Sequence, residues 1–393
     1  MHNLTVTEYA RGVPTIEQVR DVLAKIDDPE LHRSIVELGM VKGIEIAPGL
    51  VTVDIALTIP GCPLKAFFQE ELPSKIKASF PEISDVVVNL GAMTPEERKS
   101  LIGGIKGEDT SPFSSPDSRT TIVAIGSGKG GVGKSTTTIN MAAALAKRGH
   151  DVGLLDADVW GFSAARMAGM SQQPTVLDER FIVPLQAWGF KMISIGNLID
   201  DTTPVVWRGP MLHKMLQSFL TDVHWENPEY LLIDMPPGTG DVAISLLQNF
   251  IPGSQMILIT TPQQAASKVA ERAGHMALKV GTKLAGVVEN MSFAICDQCS
   301  ERTYPFGTGG GAELAARFEI PLLGQIPLDS AMRDFADHGK PAVVALPDGP
   351  AAKAFEETVE KFVQLFPPRP KQAARKTLPL IMQPARTSNG HRH

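Results

Sequence analysis

The chain has 393 residues, 43% of them hydrophobic, enough for two or three domains with sizeable cores. Its formal charge of −6 excludes an overall basic surface for nucleic acid, and no run approaches the roughly 18–20 apolar residues of a membrane span. The start, MHNLTVTEYA, has no basic region followed by an apolar stretch, so no secretory signal is read and the expected location is the cytoplasm. Three cysteines, Cys62, Cys296 and Cys299, make no disulfide framework; in a reducing compartment a close pair more often binds metal or does redox chemistry.

In chain order, residues 12–92 read as a small α/β domain. Ile16, Val19, Leu23 and Ile26 recur at helical spacing, and Asp28-Pro29 stops that helix. Leu50 to Ile59 alternates like a strand, IPGCPL follows as a turn, Leu64 to Phe80 is helical in pattern, and DVVVNL is a last short strand. Residues 93–119, polar and rich in Gly, Ser, Pro and charge, read as a linker. From Thr121 apolar strands recur: TIVAI, VGLLD, MISI, YLLID, MILIT, LAGVVEN and LLGQIP, with helical stretches between most of them. Such alternation predicts an α/β domain over residues 120–366, a mostly parallel sheet covered by helices on both faces. Residues 367–393 form a proline-rich tail with six Lys or Arg and no acid, and are expected to be disordered.

Residues 128–135, GKGGVGKS, fit the phosphate-loop pattern G-x-x-x-x-G-K-[ST], directly after the strand TIVAI and before a helix expected to begin near Thr136. Gly130, Gly131 and Gly133 let the backbone turn its N–H groups toward phosphates, and the helix N-terminus adds partial positive charge. The expected ATP-binding set is Gly128, Lys129, Gly130, Gly131, Val132, Gly133, Lys134, Ser135 and Thr136. Lys134 is assigned to the β- and γ-phosphates and Ser135 to Mg²⁺; the alternative is a chance glycine-rich turn. The second lysine, Lys129, makes K-G-G-x-G-K, which resembles the deviant Walker A motif of the MinD/ParA/nitrogenase-iron-protein class. That resemblance implies a lysine reaching across a dimer interface to the partner's nucleotide. A cation at the loop's outer edge suits negative charge arriving from outside, the alternative being a solvated loop lysine.

Two more strand ends carry carboxylates, and in parallel α/β sheets ligands sit at the carboxyl ends of strands. Asp234 ends YLLID and fits the Walker B role of holding Mg²⁺ through water. DMPPGTGD resembles the switch II loop of this class, with Gly238 and Gly240 as points of backbone movement. Of the pair in LLDADVWG, Asp158 is by resemblance the residue that orients or deprotonates the attacking water, and Asp156 supports the Mg²⁺ shell; a cap or turn carboxylate is the alternative for either. Asn290 ends LAGVVEN and by resemblance contacts the adenine amino group, where an amide both donates and accepts; a strand cap is the alternative. Pro327 to Asp329 is expected to border the base.

Cys296 and Cys299 form C-x-x-C, a spacing that lets two thiolates grip one ion or cluster. Alone it fits zinc, a redox disulfide or iron–sulfur ligands. The pair does not open a helix after an early strand, which argues against thioredoxin-like use. A cluster or tetrahedral zinc wants about four ligands, no His flanks the pair, and Cys62 lies in another domain. The simplest completion is a second copy of the pair across a twofold axis, matching the dimer that Lys129 asks for.

Taken together, GSGKGGVGKST, LLDADVWG, WRGPM (Trp207 to Met211), LLIDMPPGTGD, ENMSFAICDQC and FGTGGG make residues about 118–365 resemble the Mrp/ApbC family of iron–sulfur cluster carrier ATPases. DPEL, SIVELGMV and LTIPGCPL make the first domain resemble the MIP18-type domain often fused to it, with Cys62 at that domain's cysteine. The family implies a homodimer with a [4Fe–4S] cluster bridged by the two C-x-x-C pairs, ATP-coupled loading or release, and apo iron–sulfur proteins as acceptors. Two rivals remain. A MinD/ParA-type positioning ATPase lacks support from the tail, whose prolines break any amphipathic helix, and from the charge, which is −12 without that tail (31 basic against 43 acidic residues). A zinc-stapled dimeric ATPase is the other.

Overall fold

The computed structural model describes residues 13–59, 64–105, 112–114, 118–158, 161, 163–178, 180–198, 209–296 and 298–369. The first helix, Ile16–Leu23, is fixed by a capping box in which Thr15 and Gln18 exchange side-chain and backbone hydrogen bonds. It buries Val19 and Leu23 against a three-stranded sheet of β1 (Val41–Ala47), β2 (Leu50–Leu57) and β3 (Asp85–Ala92). β2 and β3 are parallel and joined through the helix Lys65–Ser79. β1 pairs antiparallel with β2, an element the sequence reading leaves unassigned because Gly43, at a register shift inside the strand, interrupts the alternation that Ile44 and Ile46 continue. Cys62, in the expected IPGCPL turn, lies outside the described residues.

The stretch read as a linker contains a helix, Pro95–Ile105. Thr94 and Glu97 form its capping box (Thr94 N–H to Glu97 Oε2 2.9 Å, Glu97 N–H to Thr94 Oγ1 3.2 Å), and Pro95 sits where a missing N–H costs nothing. Met93 and Ile102 are buried in the first domain's core, so the helix belongs to that domain by packing. At the other end of the stretch, Arg119 is buried and pairs with Asp151 at 2.9 Å and Glu229 at 3.1 Å, pinning the chain as it enters the second domain. The expected disordered tail concerns residues of which only those up to 369 are described.

From β4 (Thr121–Ser127) and β5 (Val152–Asp156) the chain makes a small hairpin, β6 (Thr175–Asp178) and β7 (Phe181–Val183). It continues through β8 (Leu185–Ala187), β9 (Phe190–Ser194), β10 (Tyr230–Asp234), β11 (Gln255–Thr260) and β12 (Lys283–Glu289). A two-residue ribbon, β13 (Ala294–Ile295) with β14 (Arg302–Thr303), precedes β15 (Leu322–Gln325). The main sheet has the order β15-β12-β11-β4-β10-β5-β9-β8, parallel throughout except for the edge strand β8. Its two faces carry separate cores. One packs the helices Lys134–Lys147 and Pro350–Leu365, and the other packs Gly209–Thr221 and Gln264–Lys279. The β6–β7 hairpin instead puts Leu177, Phe181 and Val183 into the first domain's core, where Thr175 Oγ1 also donates to Glu30 Oε1 at 3.2 Å. With β10 lying between β4 and β5, the phosphate loop and the two acidic strand ends meet at one edge.

Candidate nucleotide and cluster sites

The loop from Gly128 to Gly133 joins β4 to its helix, and that helix begins at Lys134, two residues before the expected Thr136. Gly133 is the reason. It caps the helix at φ +79°, a conformation L side chains rarely adopt, and a Cβ there would lie 2.1 Å from Asn290 Nδ2. Gly130 and Gly131 face open space, with nothing within 4 Å of where a Cβ would stand, as a phosphate cradle requires. Val132 is buried and Lys129 is half-buried at the loop's rim. Gly128 begins the loop, close against the backbone of Val269. Thr136 turns its hydroxyl toward Met167 Sδ at 3.7 Å, on the helix side of the loop.

Lys134 is buried with its ammonium 2.8 Å from Asp234 Oδ1 and 3.4 Å from Asp158 Oδ2. Burial opposes its charge, but the facing carboxylates of Asp234, Asp158 and Asp156 outweigh burial and raise its pKa. Ser135 Oγ donates to Asp234 Oδ2 at 2.5 Å. Asp156 lies directly beside Asp234 in the register of β5 and β10, and burial together with the Asp234 charge pushes it up to about 7. Asp158 accepts from the Gly161 N–H at 3.1 Å. Gly238 of the switch loop donates its N–H to Ser127 O at 2.9 Å, docking that loop against the start of the phosphate loop. Four sequence-assigned residues, Lys134, Ser135, Asp158 and Asp234, thus converge on one point, with Asp156 behind them.

Two residues that the motifs do not single out complete this centre. Thr138 donates to Asp234 Oδ1 at 2.9 Å, and Ser194 donates to Asp156 Oδ2 at 2.8 Å. Thr138 lies one turn after Lys134, a spacing visible in the sequence; Ser194 is found only through the pairing of β5 with β9, where it is the register partner of Asp156. The donor set fits magnesium. Ser135 Oγ and the Asp234 carboxylate meet at 2.5 Å, and magnesium takes one or two carboxylates with substrate phosphates and water.

Asn290 is buried at the end of β12, where its Nδ2 donates to Val132 O of the phosphate loop at 3.0 Å. That bond fixes the amide's orientation. Among the described residues its Oδ1 has no hydrogen-bond partner and is left to accept from an amino group. Six residues further, Cys296 is half-buried and Cys299 is exposed, in the turn of the β13–β14 ribbon, and neither forms a disulfide. Cys296 is held by its own N–H to Glu301 O at 3.0 Å and by accepting from the Ser300 N–H at 2.8 Å. A groove of about 800 Å³ runs past Cys296 to Pro327, Leu328 and Asp329, the residues expected to border the base.

Residues 118–363 match the family model described as NUBPL iron-transfer P-loop NTPase, and residues 16–90 match that of an iron-sulfur cluster assembly protein. The iron-sulfur cluster carrier protein of Mycobacterium tuberculosis strain H37Rv is 47% identical over 346 residues, covering 85% of this chain and 90% of that one. The carrier protein of the same name from Synechocystis is 39% identical over 349 residues, covering 86% and 94%. Among solved structures, a nucleotide-binding protein from Archaeoglobus fulgidus in complex with ADP superposes with a TM-score of 0.54 at 35% identity, covering 63% of this chain and 96% of that one. The chain belongs to the iron-transfer P-loop NTPase family, with an iron–sulfur assembly domain at its N-terminal end. No helix among the described residues is long and apolar enough to cross a membrane.

Proposed function

We propose that this chain is a cytoplasmic ATPase that holds a [4Fe–4S] cluster between two copies of itself and passes it to apo iron–sulfur proteins. The observation that carries the reading is structural adjacency: Asn290, bonded to the phosphate loop, and Cys296, on the ribbon, belong to one short segment leaving β12. The names of the relatives support the cargo. Each chain brings Cys296 and Cys299, so two chains bring the four thiolates such a cluster takes.

ATP lies along the loop from Gly128 to Thr136, with the base against Asn290. Phosphate oxygens compete with Asp234 and Asp158 for the Lys134 ammonium. Ser135 and, through water, Asp234 would hold Mg²⁺, with Asp156 supporting its shell; the ion supplies charge neutralisation on the phosphates. Asp158 orients or deprotonates a water that attacks the γ-phosphorus, the bond to the ADP oxygen breaks, and Lys129 from the partner copy offsets the charge that develops. Cluster transfer is ligand exchange: acceptor thiolates take iron positions as those of Cys296 and Cys299 leave, without a change in oxidation state.

The test is anaerobic reconstitution followed by transfer to an apo acceptor, with and without ATP. A brown protein whose transfer rate depends on ATP is expected; a colourless protein holding zinc would replace this reading by the zinc-stapled dimer. The hydrolytic roles have their own test. Asp158→Asn and Lys129→Ala should each bind ATP normally and lose about 100-fold in turnover. Nucleotide affinity falling alongside turnover in Lys129→Ala would contradict its action on the partner's nucleotide.

A further inference from the structure

Glu289, the last residue of β12, is fully buried, and three neutral donors hold its carboxylate. A carboxylate in the interior costs several kcal/mol unless its oxygens are hydrogen-bonded. Here the donors come from both ends of one excursion of the chain. Residues 290–310 leave β12, form the cysteine ribbon and return to the helix Gly310–Phe318. Before the ribbon, Ser292 Oγ donates to Oε1 at 2.5 Å; after it, the Gly311 N–H donates to Oε2 at 2.5 Å. Gln325, at the end of β15, adds a bond to Oε1 at 2.9 Å. A Cβ on Gly311 would lie 2.7 Å from Glu289 Cβ, so the closure needs glycine. The stretch FGTGGG therefore closes the base of the cysteine ribbon.

The same strand end reaches the nucleotide site through Asn290 and Val132 O. Beyond Glu289 the backbone stays paired: the Ser292 N–H donates to Ile326 O at 2.9 Å and the Leu328 N–H to Phe293 O at 2.7 Å. A continuous bonded path thus runs from the phosphate loop through Asn290, Glu289 and Ser292 to the ribbon. We propose that Glu289 is a positioning residue that clamps both ends of the cysteine ribbon to Asn290, so that nucleotide bound in one subunit resets the exposure of that subunit's own Cys296 and Cys299. The inference rests on the nucleotide reading given above for the loop and Asn290.

Reach separates the clamp from a general need for charge. Glu289→Asp keeps the carboxylate but is shorter by about 1.5 Å, too short to hold Ser292 and Gly311 together. Glu289→Gln keeps the reach: its amide oxygen accepts from Gly311, and its nitrogen faces a serine hydroxyl and a glutamine amide that can turn to accept.

The experiment uses full-length, reduced, cluster-free protein and limiting iodoacetamide, with and without Mg-ADP. Modification is read at each cysteine by peptide mass spectrometry, and ADP affinity is measured on the same preparation. ADP lacks the γ-phosphate that faces a partner, so the readout stays within one subunit. In wild type and Glu289→Gln, ADP should change the rates at Cys296 and Cys299 about fivefold or more, leaving Cys62 within about twofold. In Glu289→Asp, ADP affinity should stay within about twofold while the effect on both cysteines falls below about twofold. Gly311→Ala, which crowds the clamp from the other side, should show the same loss. The clamp is overturned if Glu289→Asp and Gly311→Ala keep the full response, or if wild type binds ADP with no change at either cysteine. A wild type that binds no ADP refutes the nucleotide reading itself, and one that responds to ADP yet takes up no iron refutes only the cargo.

Discussion

Lys134→Ala is expected to reduce ATP turnover at least about 100-fold, with nucleotide affinity lost as well, because the main cation for the β- and γ-phosphates is removed. The geometry adds a second consequence. Lys134 is buried between Asp234 and Asp158, with Asp156 beside them in register. Alanine leaves that carboxylate group without its cation, and breaking a buried pair from one side costs on the order of 3 kcal/mol. The variant should therefore melt at a lower temperature than wild type even without nucleotide. Calorimetric nucleotide titration, steady-state turnover and a melting curve together check this. An unchanged melting temperature would mean that the carboxylates hold the centre without Lys134; retained turnover would remove it from the phosphate site.

Cys296→Ala or Cys299→Ala should lose stable cluster binding altogether, while ATP hydrolysis survives. The ribbon projects its cysteines from the end of β12, whereas Lys134, Ser135, Asp158 and Asp234 gather around β4, β5 and β10. Wild-type protein reconstituted without oxygen should approach about four irons per dimer, and Cys62→Ala should match it. The measurements are iron and sulfide content against the mass of the assembly in solution. About four irons per monomer, or loss of the cluster in Cys62→Ala, would rule out a site shared between two ribbons.

The phosphate loop was legible as a turn between strand and helix because most of its geometry is local. GKGGVGKS acts through its own backbone, and the hydrophobic pattern of TIVAI places it after a strand. Local signals also explain the misreadings. Thr94-Pro95-Glu96-Glu97 is a helix start by its capping chemistry, but the polar composition around it reads as a linker until Met93 and Ile102 are found in a core. Neither Ser194 nor Glu289 carries a motif, although Ser194 holds Asp156 and three parts of the chain meet at the Glu289 side chain.

By itself, the sequence determined which chemical groups this protein brings: a phosphate-binding loop with two lysines, acids at strand ends, and a pair of thiols on one turn. Those follow from residue type and short spacing, which backbone geometry converts directly into structure. Only the tertiary structure decided which groups meet. Ser135 and Asp234 are 99 positions apart, and Val132 and Asn290 are 158 apart. They touch because the order of the sheet places β10 beside β4 and brings the end of β12 against the loop. That order results from burying both faces of the sheet at once, a sum over many distant contacts that no local pattern encodes.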